Sequence, residues 1–381
     1  MHIAFLTPEY PHERVSHAAG IGTSIKNLVV ALAEKKVKVS VFVYGQQEDA
    51  VFTEEGITIH LIKNRKYKFM GWYCHRKYLQ NYLNTKILTE KIDVIEAPDW
   101  TGITAFMRLK APLVIRFHGS DTYFCHIEKR HQKFKNFFFE KLATQNAKAF
   151  IAPTAYAGNV SKELFGIKNK IIQTIHYGLA LDQFQNKNPE VFENGLILYI
   201  GTMIRKKGIF ELPAIFNKVR LQNPDVQLIL IGGDSADIQT GNQSTWELLK
   251  QEFDKADLKK VTYLNKIPYH QVKDYIIKAQ ICVFPSFAET LGMVTIESMA
   301  LQKPVVNTNI GWAKELLVDG VSGFLVHPQD HQLFVNRIIH LLNDKSSCLS
   351  MGKNARMHIE QVFDIEKIVE ENIVFYKSII V

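Results

Sequence analysis

Short apolar runs of strand length alternate with amphipathic helical stretches along the whole 381-residue chain. This alternation predicts parallel β-sheets flanked by α-helices, because parallel strands need long, usually helical, crossovers. In the first half, the predicted strands lie at about His2–Leu6, Val39–Tyr44, Ile57–Leu61, Val94–Glu96, Leu113–Phe117, Ala149–Ala152 and Ile171–Ile175.

A polar segment, Gln185–Asn194, separates this first run of strands from a second one. The second run has predicted strands near Leu196–Ile200, Gln227–Ile231, Thr262–Leu264, Ile281–Phe284, Val305–Asn307 and Phe324–Val326. The length of the chain fits two domains of ordinary size. We therefore predict two Rossmann-like α/β domains, residues 1–187 and 195–360, and a terminal helix from about Ile365 to Ile379.

Several classes of protein are disfavoured by composition. No apolar run of about 18 residues occurs, so no transmembrane helix is predicted. The first residues, MHIAFLTPEY, indicate a strand entering a turn rather than a signal peptide.

Metal and disulfide sites are also not indicated. No Asp-x-Asp triplet is present, so no carboxylate-held divalent metal is expected. The four cysteines form no Cys-x-x-Cys pair, which favours a reducing cytosol over a zinc or disulfide framework: Cys74, Cys125, Cys282 and Cys348.

Positive charge is concentrated in the first half of the chain. Residues 1–187 contain 26 Lys and Arg against 16 Asp and Glu, a net charge of +10, whereas the remainder has 20 against 22. A one-sided basic excess predicts an anionic partner surface, and both nucleic acid and anionic lipid qualify.

The segment Phe284–Gly311 carries the most specific chemical signal in the sequence. The apolar run that ends at Pro285 predicts a buried parallel strand. A loop follows, in which Thr290 is the candidate cap of a helix running from about Gly292 to Leu301.

The start of this helix is predicted to be an anion site between two carboxylates. Helix N-termini bind anions through backbone amides, here those of Gly292 and Met293. Glu289 precedes these amides, and Glu297 follows them by roughly 7–8 Å along the helix. This order matches a nucleotide-sugar, whose sugar hydroxyls, diphosphate and ribose hydroxyls come in the same sequence.

The Glu-x(7)-Glu spacing, with the surrounding FPSFAETLG, ESMALQKPVV and DGVSGFLV, resembles the donor site of retaining GT-B glycosyltransferases of family four, also called group one. The resemblance implies two Rossmann-like domains facing each other across a cleft, with the terminal helix, about residues 365–381, packing on the first. It implies a metal-independent enzyme without cofactor that transfers a hexose with retention. The donor would be a nucleotide-diphosphate sugar, UDP-sugar favoured over GDP-sugar, and the acceptor a saccharide or lipid-linked saccharide in cell-surface glycan biosynthesis.

The resemblance also implies roles for individual residues. Glu289 would orient sugar hydroxyls and Glu297 would hold the ribose, while Lys207 and the helix amides would stabilise the departing diphosphate. The predicted donor-binding residues are Gly20, Gly22, Arg205, Lys207, Thr290, Leu291, Gly292, Met293 and Glu297, and the predicted catalytic residues are His118, Lys207 and Glu289.

Two of the matching motifs lie in the first half. Ala19-Gly20-Ile21-Gly22 opens a helix after the first strand, where small residues let the backbone approach a phosphate or sugar. The family usually has two adjacent glycines where this chain has Ala19 and Gly20. His118, in the run HGSD at a strand end, could hydrogen-bond a sugar hydroxyl or steady charge near the anomeric carbon. Asp121 either contacts the acceptor or caps the next segment.

The third motif follows the first strand of the second half, at residues 201–208. Lys207 matches the family lysine, but Thr202 stands where the family commonly has arginine. Arg205 or Lys206 is left to supply the second cation beside the diphosphate. A further run, IHYGLA, resembles the family's Pro-Asn-Gly-Ile-Asp; Tyr177 replaces the asparagine, and we interpret the run as structural.

Two basic stretches with interleaved aromatic residues, Lys63–Lys77 and His126–Leu142, suit an anionic membrane interface. They would also suit single-stranded nucleic acid, or a half-buried helix with a solvated face. Without a recognisable nucleic-acid motif, the membrane is favoured, so we expect a cytoplasmic enzyme bound peripherally to the membrane and no nucleic-acid partner. The predicted contacts are Arg65, Lys66, Lys68, Arg76 and Lys77.

Two other functions are compatible with these motifs. A sugar-nucleotide epimerase of GT-B fold would share the architecture and the donor site. A catalytically weak module that binds sugar nucleotides or membranes would explain the departure at Thr202.

Overall fold

The computed structural model describes residues 1–17 and 20–380. The strands are β1 (His2–Thr7), β2 (Lys38–Gln46), β3 (Ala50–Glu54), β4 (Ile57–Lys63), β5 (Val94–Pro98), β6 (Leu113–Arg116), β7 (Ala149–Ala152), β8 (Ile172–Thr174), β9 (Leu196–Ile200), β10 (Gln227–Ile231), β11 (Val261–Tyr263), β12 (Ile281–Phe284), β13 (Val305–Thr308) and β14 (Phe324–Val326).

The α-helices are α1 (Gly20–Glu34), α2 (Gly71–Glu90), α3 (Asp121–Ile127), α4 (Phe134–Asn146), α5 (Ala155–Phe165), α6 (Leu212–Gln222), α7 (Thr245–Leu249), α8 (Lys255–Leu258), α9 (Tyr269–Lys278), α10 (Met293–Ala300), α11 (His331–Asn343), α12 (Lys345–Val362) and α13 (Ile365–Ile380). Short 3-10 helices cover Trp100–Gly102, Leu181–Gln183, Arg205–Lys207, Ile209–Glu211 and Gly311–Glu315.

The chain forms two compact units. One consists of residues 1–180 with 364–380, and the other of Leu181–Phe363. The first is built on an eight-stranded sheet in the order β3-β4-β2-β1-β5-β6-β7-β8. Alternate residues of β1 lie in different apolar clusters, Ile3 and Phe5 in one and Ala4 and Leu6 in the other. Both faces of this sheet are therefore covered, as parallel sheets require.

The second unit contains a six-stranded sheet in the order β11-β10-β9-β12-β13-β14, with every neighbouring pair parallel. Each of the predicted strands is present in one of the two sheets, which confirms the predicted α/β class with two parallel-sheet, Rossmann-like domains. β9 and β12 lie side by side in the middle of this sheet, so the loops that follow them meet at one edge.

One strand was not predicted from the sequence. β3 pairs antiparallel with β4 at the edge of the first sheet, across a turn in which Glu55 and Gly56 both have positive φ. Its residues alternate between exposed and half-buried positions. Such a strand lacks the continuous apolar run that marks the buried strands.

Helix α13 belongs to the first unit, where a buried polar network fastens it to the sheet. Arg116 forms a bidentate ion pair with Glu96, at 2.7 and 3.0 Å. Its guanidinium also donates to Asn372 of α13 at 2.6 Å, and Tyr376 donates to Glu96 at 2.5 Å. Because each charge has a partner, the network avoids the penalty of a lone buried ion.

The segment Gln185–Asn194, predicted to be the linker, contains neither helix nor strand. Its neighbour Phe184 is buried, and the side chain of Asn186 donates to the carbonyl oxygen of Leu301 at 3.0 Å. The segment therefore packs within the second unit, and the chain divides earlier, after Ala180.

Candidate functional site

Two loops of the second unit are joined by backbone contacts at the ends of β9 and β12. Gly208 has φ +67°, and a Cβ atom there would overlap the carbonyl oxygen of Pro285. The carbonyl oxygen of Lys206 accepts the backbone N–H groups of Phe287 and Ala288, at 2.7 and 3.2 Å. Only glycine permits both this φ and this close approach. Gly208 therefore allows the turn Arg205–Lys207 to pack against the loop after β12.

These contacts bring Lys207 and Glu289 together. The Lys207 ammonium donates to Oε1 of Glu289, and both side chains are mostly buried. Two predicted site residues, 82 positions apart in the chain, thus form an ion pair. A partly buried pair of this kind brings an ammonium group and a carboxylate group together. Either group can form a charge-assisted hydrogen bond with a ligand.

The helix predicted from about Gly292 to Leu301 is present after this loop. α10 spans Met293–Ala300, and its N-cap is Gly292 in the left-handed region, with φ 105°. The prediction that Thr290 is the N-cap residue is wrong: Gly292 holds that position, in a left-handed conformation that glycine adopts at little steric cost. Thr290 and Leu291 are buried in the preceding loop.

Glu297 lies in α10 and is buried. It accepts a hydrogen bond of 2.6 Å from the hydroxyl of Tyr269, the first residue of α9. Burial raises the pKa of Glu297 to about 7, although the Tyr269 hydrogen bond and the charge of Lys273 oppose the shift. The carboxyl is therefore poised to gain or lose a proton near neutral pH, a property that clusters at functional sites. The sequence analysis did not predict Tyr269 as a site residue, because no recognisable motif surrounds it.

Arg205, a candidate for the second cation, is already engaged. Its guanidinium donates to both carboxylate oxygens of Asp237, at 2.7 and 2.9 Å, and lies 4.3 Å from the ring centroid of Phe210. These hydrogen bonds hold the pKa of Asp237 well below its usual range. Arg205 would have to share its guanidinium with Asp237 to serve a ligand.

In the first unit, the start of α1 packs against the loop that follows β1. The backbone N–H of Gly22 donates to Oε1 of Glu9 at 2.8 Å, and a Cβ at Gly22 would lie 3.0 Å from the carbonyl oxygen of Glu9. Gly20 is exposed, and a Cβ built on it would have no neighbour within 4 Å among the described residues, apart from its own stretch of helix. Ala19, which stands where the family usually has a second glycine, lies outside the described residues.

His118 follows β6 in a loop held by Asp99. The backbone N–H groups of His118 and Ser120 donate to the two carboxylate oxygens of Asp99, at 2.8 and 2.9 Å. Burial raises the pKa of Asp99 to about 7. The hydroxyl of Tyr177 lies 2.7 Å from Nδ1 of His118. Tyr177, interpreted above as structural, therefore contacts a predicted catalytic residue.

Asp121 does not cap the helix that follows. Ser120 is the N-cap of α3, since its hydroxyl accepts the N–H of Tyr123 at 3.1 Å. Asp121 instead accepts hydrogen bonds from Arg130 and Asn136, at 3.2 and 3.0 Å. These bonds tie the start of α3 to the segment around α4.

Two of the predicted membrane contacts are turned inward. Arg76 is buried and donates to the carbonyl oxygens of Trp72, Thr101 and Gly102, and the ammonium of Lys77 donates to the carbonyl oxygen of Phe106 at 2.6 Å. The prediction that Arg76 contacts a membrane is wrong, because its guanidinium joins α2 to the loop after β5. Lys77 is half-buried and likewise committed to a backbone carbonyl.

The other basic residues of this stretch remain at the surface. Arg65 is exposed but pairs with Asp49 at 2.6 Å, whereas Lys66 and Lys68 are exposed. Beside them lies a group of exposed apolar side chains, which we call the aromatic patch: Phe69, Met70, Trp72, Phe134 and Phe138. Ring contacts of Phe106 with both Trp72 and Phe138, at 5.5 and 6.2 Å, connect the start of α2 to α4.

Among residues 1–17 and 20–380, no helix is both long and apolar enough to cross a membrane. Within the same ranges, no cluster of three or more His, Cys, Asp or Glu side chains is arranged to hold a metal ion.

Two family models match the chain, one on each half. Residues 18–183 match the model described as Glycosyltransferase Family 4, and residues 182–358 match the model described as Glycosyl transferases group 1. Both predicted donor carboxylates, Glu289 and Glu297, lie within the second match.

Two relatives are also glycosyltransferases by description. An uncharacterized glycosyltransferase of Methanocaldococcus jannaschii is 26% identical over 93% of each chain. A capsular polysaccharide biosynthesis glycosyltransferase, CapM of Staphylococcus aureus, is 30% identical over 51% of each chain.

The fold has known counterparts. The solved structure of HepE from Anabaena in complex with UDP-glucose matches with a TM-score of 0.74 at 20% identity, over 99% of this chain and 100% of that one. The two family matches, which together span residues 18–358, show that the chain belongs to the group 1, family 4 glycosyltransferases, and the structural similarity shows that it has the GT-B fold.

Proposed function

We propose that this glycosyltransferase moves a hexose from a UDP-sugar to a saccharide or lipid-linked saccharide, with retention at the anomeric carbon. The observation that carries the proposal is the ion pair between Lys207, in the turn after β9, and Glu289, in the loop before α10. Buried Glu297 lies close by in sequence, in α10 itself. UDP-glucose, the ligand of the HepE structure, supports the choice of donor.

The donor site is proposed to divide the nucleotide-sugar among three groups. Glu297 accepts hydrogen bonds from the ribose hydroxyls, in place of or beside Tyr269. Lys207 and the amides of Leu291, Gly292 and Met293 face the diphosphate. Glu289, which Lys207 now neutralises, then turns to the hydroxyls of the sugar.

The proposed reaction is a front-side displacement. The bond between the anomeric carbon and the diphosphate oxygen breaks, and the bond to the acceptor oxygen forms on the same face. The acceptor proton passes to the departing diphosphate oxygen, so no protein nucleophile is required. Lys207 stabilises the negative charge that develops on the diphosphate, where a preorganised cation acts best. His118 donates a hydrogen bond to a hydroxyl of the transferred sugar.

We propose that the reaction needs neither a cofactor nor a divalent metal, since the sequence has no Asp-x-Asp triplet and Lys207 supplies a cation. The acceptor would be presented at the cytoplasmic face of an anionic membrane. CapM, which is named for capsular polysaccharide biosynthesis, supports an acceptor of this class.

The aromatic patch is the surface proposed to meet the membrane. Phe69 is 83% exposed and Phe134 is 77% exposed, and exposed lysines lie next to both, at Lys68 and Lys133. Apolar side chains ringed by lysines suit the boundary between lipid headgroups and acyl chains. Each lysine near an anionic surface contributes about 1 kcal/mol, screened by salt.

The proposed donor is tested by calorimetry with UDP-glucose at several pH values. We expect the affinity of the native enzyme to fall by up to about tenfold between pH 8 and pH 6, because Glu297 has a pKa of about 7 and its ionised carboxylate accepts hydrogen bonds more strongly than the neutral acid. Affinity is thus present above pH 7 and lost as the pH falls through 7. Glu297→Gln should bind more weakly at pH 8 and lack this pH dependence. A pH profile shared by both proteins would refute the ribose assignment.

Lys207→Ala should lower the turnover of UDP-glucose more than its binding, by at least tenfold in kcat, because its charge matters most as the diphosphate departs. Lys218→Ala, which removes an exposed lysine of α6 in the same unit, is the matched control and should lose less than threefold. Native activity should survive EDTA. Equal losses in the two variants would assign the effect to the net charge of the unit, and loss of activity that magnesium restores would contradict the metal-independent mechanism.

Membrane binding is measured by sedimentation with phosphatidylglycerol vesicles. The double variant Phe69→Ser/Phe134→Ser should bind at least tenfold more weakly, since burying each phenylalanine contributes roughly 2 kcal/mol. Leu221→Ser/Ile238→Ser is the matched control, because these side chains in the second unit are 85% and 86% exposed. Native binding should also fall steeply with salt. Equal sedimentation of both double variants would show that the aromatic patch does not contact lipid.

A further inference from the structure

Tyr177 and His118 form a close pair in the first unit. The Tyr177 hydroxyl lies 2.7 Å from Nδ1 of His118, and the ring planes are nearly parallel, at 15°. On the other side of the imidazole, Nε2 is buried and has no hydrogen-bond partner among the described residues. One ring nitrogen is thus occupied by tyrosine, and the other is available to a ligand.

The backbone holds both members of the pair in place. A Cβ at Gly178, next to Tyr177, would lie 2.6 Å from Cδ1 of Ile365 in α13, so this segment packs tightly on the terminal helix. The N–H of Ile365 also donates to the carbonyl oxygen of Leu179 at 3.0 Å. His118 is fixed from its own side by the hydrogen bond of its N–H to Asp99.

The imidazole of His118 is neutral at physiological pH. Burial lowers the pKa of His118 to about 3, and the charge of Arg116 acts in the same direction. A neutral imidazole carries its proton on either Nδ1 or Nε2, and the partner of one nitrogen decides which. Only a proton on Nε2 would let this side chain donate to a substrate oxygen from its unoccupied nitrogen.

We infer that Tyr177 is a positioning residue, whose hydroxyl donates to Nδ1 of His118 and thereby keeps the imidazole proton on Nε2. Another acceptor near this hydroxyl is the carbonyl oxygen of Phe117, at the longer distance of 3.4 Å. The Nε2–H group then donates to an oxygen of the bound sugar. The identity of that oxygen rests on the proposed function, whereas the tautomer does not.

The tautomer is read directly from long-range nitrogen–proton NMR spectra of protein labelled with nitrogen-15 in histidine, with the His118 signal assigned from its loss in His118→Gln. We expect the native spectrum to show His118 protonated on Nε2, and Tyr177→Phe to shift part of that population to Nδ1. The chain offers a matched control in Tyr82, whose hydroxyl lies 3.0 Å from Nδ1 of His60. Tyr82→Phe should leave the His118 signals unchanged.

Activity provides the second readout. Tyr177→Phe should lower kcat for UDP-glucose at least fivefold with little change in KM, and should cause no further loss in a His118→Gln background. Tyr82→Phe should retain native activity.

A native His118 protonated on Nδ1, or a tautomer that does not change in Tyr177→Phe, would overturn the inference. The expected spectra without any UDP-glucose binding would refute the proposed donor instead and leave the role of Tyr177 standing.

Discussion

The contact between Gly208 and the carbonyl of Pro285 is the constraint on which the proposed donor site depends. It allows the turn after β9 to lie against the loop after β12, and the hydrogen bonds to the Lys206 carbonyl keep it there. Lys207 and Glu289 meet only because these two backbones meet. Since any side chain at position 208 would overlap Pro285, the ion pair is a consequence of a glycine that makes no polar side-chain contact itself.

Three pairs of side chains hold the charged and titratable groups of the proposed donor site within the protein. Lys207 pairs with Glu289, Arg205 pairs with Asp237, and Tyr269 donates to Glu297. A buried charge without a partner would be costly, so each pair lowers the cost of burying its charges. We propose that a nucleotide-sugar exchanges these partners for its own diphosphate and hydroxyls.

Much of this architecture could be predicted from sequence, for identifiable reasons. The buried strands are continuous apolar runs, and the segment from Phe284 to Gly311 has a specific spacing of proline, glycine and glutamate. An apolar run does not reveal a strand that is only partly buried. β3 is an edge strand with half-exposed residues, and its sequence resembles a polar loop.

Side-chain partners were the least predictable feature. Arg76 lies within a basic stretch of sequence, yet its side chain is buried. Hydrogen bonds to three backbone carbonyl oxygens compensate for the burial of its charge. Tyr177 and Tyr269 contact predicted site residues 59 and 28 positions away, and no sequence motif assigns a site role to either of them. Tyr177 carried one indirect signal, namely that it replaces the asparagine of the resembled motif.

The central claim, transfer from a UDP-sugar with retention, is tested most directly by the anomer released when water replaces the acceptor. Proton NMR during slow hydrolysis of UDP-glucose by the native enzyme resolves the two anomers before they interconvert. The front-side mechanism predicts that α-glucose, which has the configuration of the donor, appears first. β-Glucose as the first product would show inversion and would contradict the account.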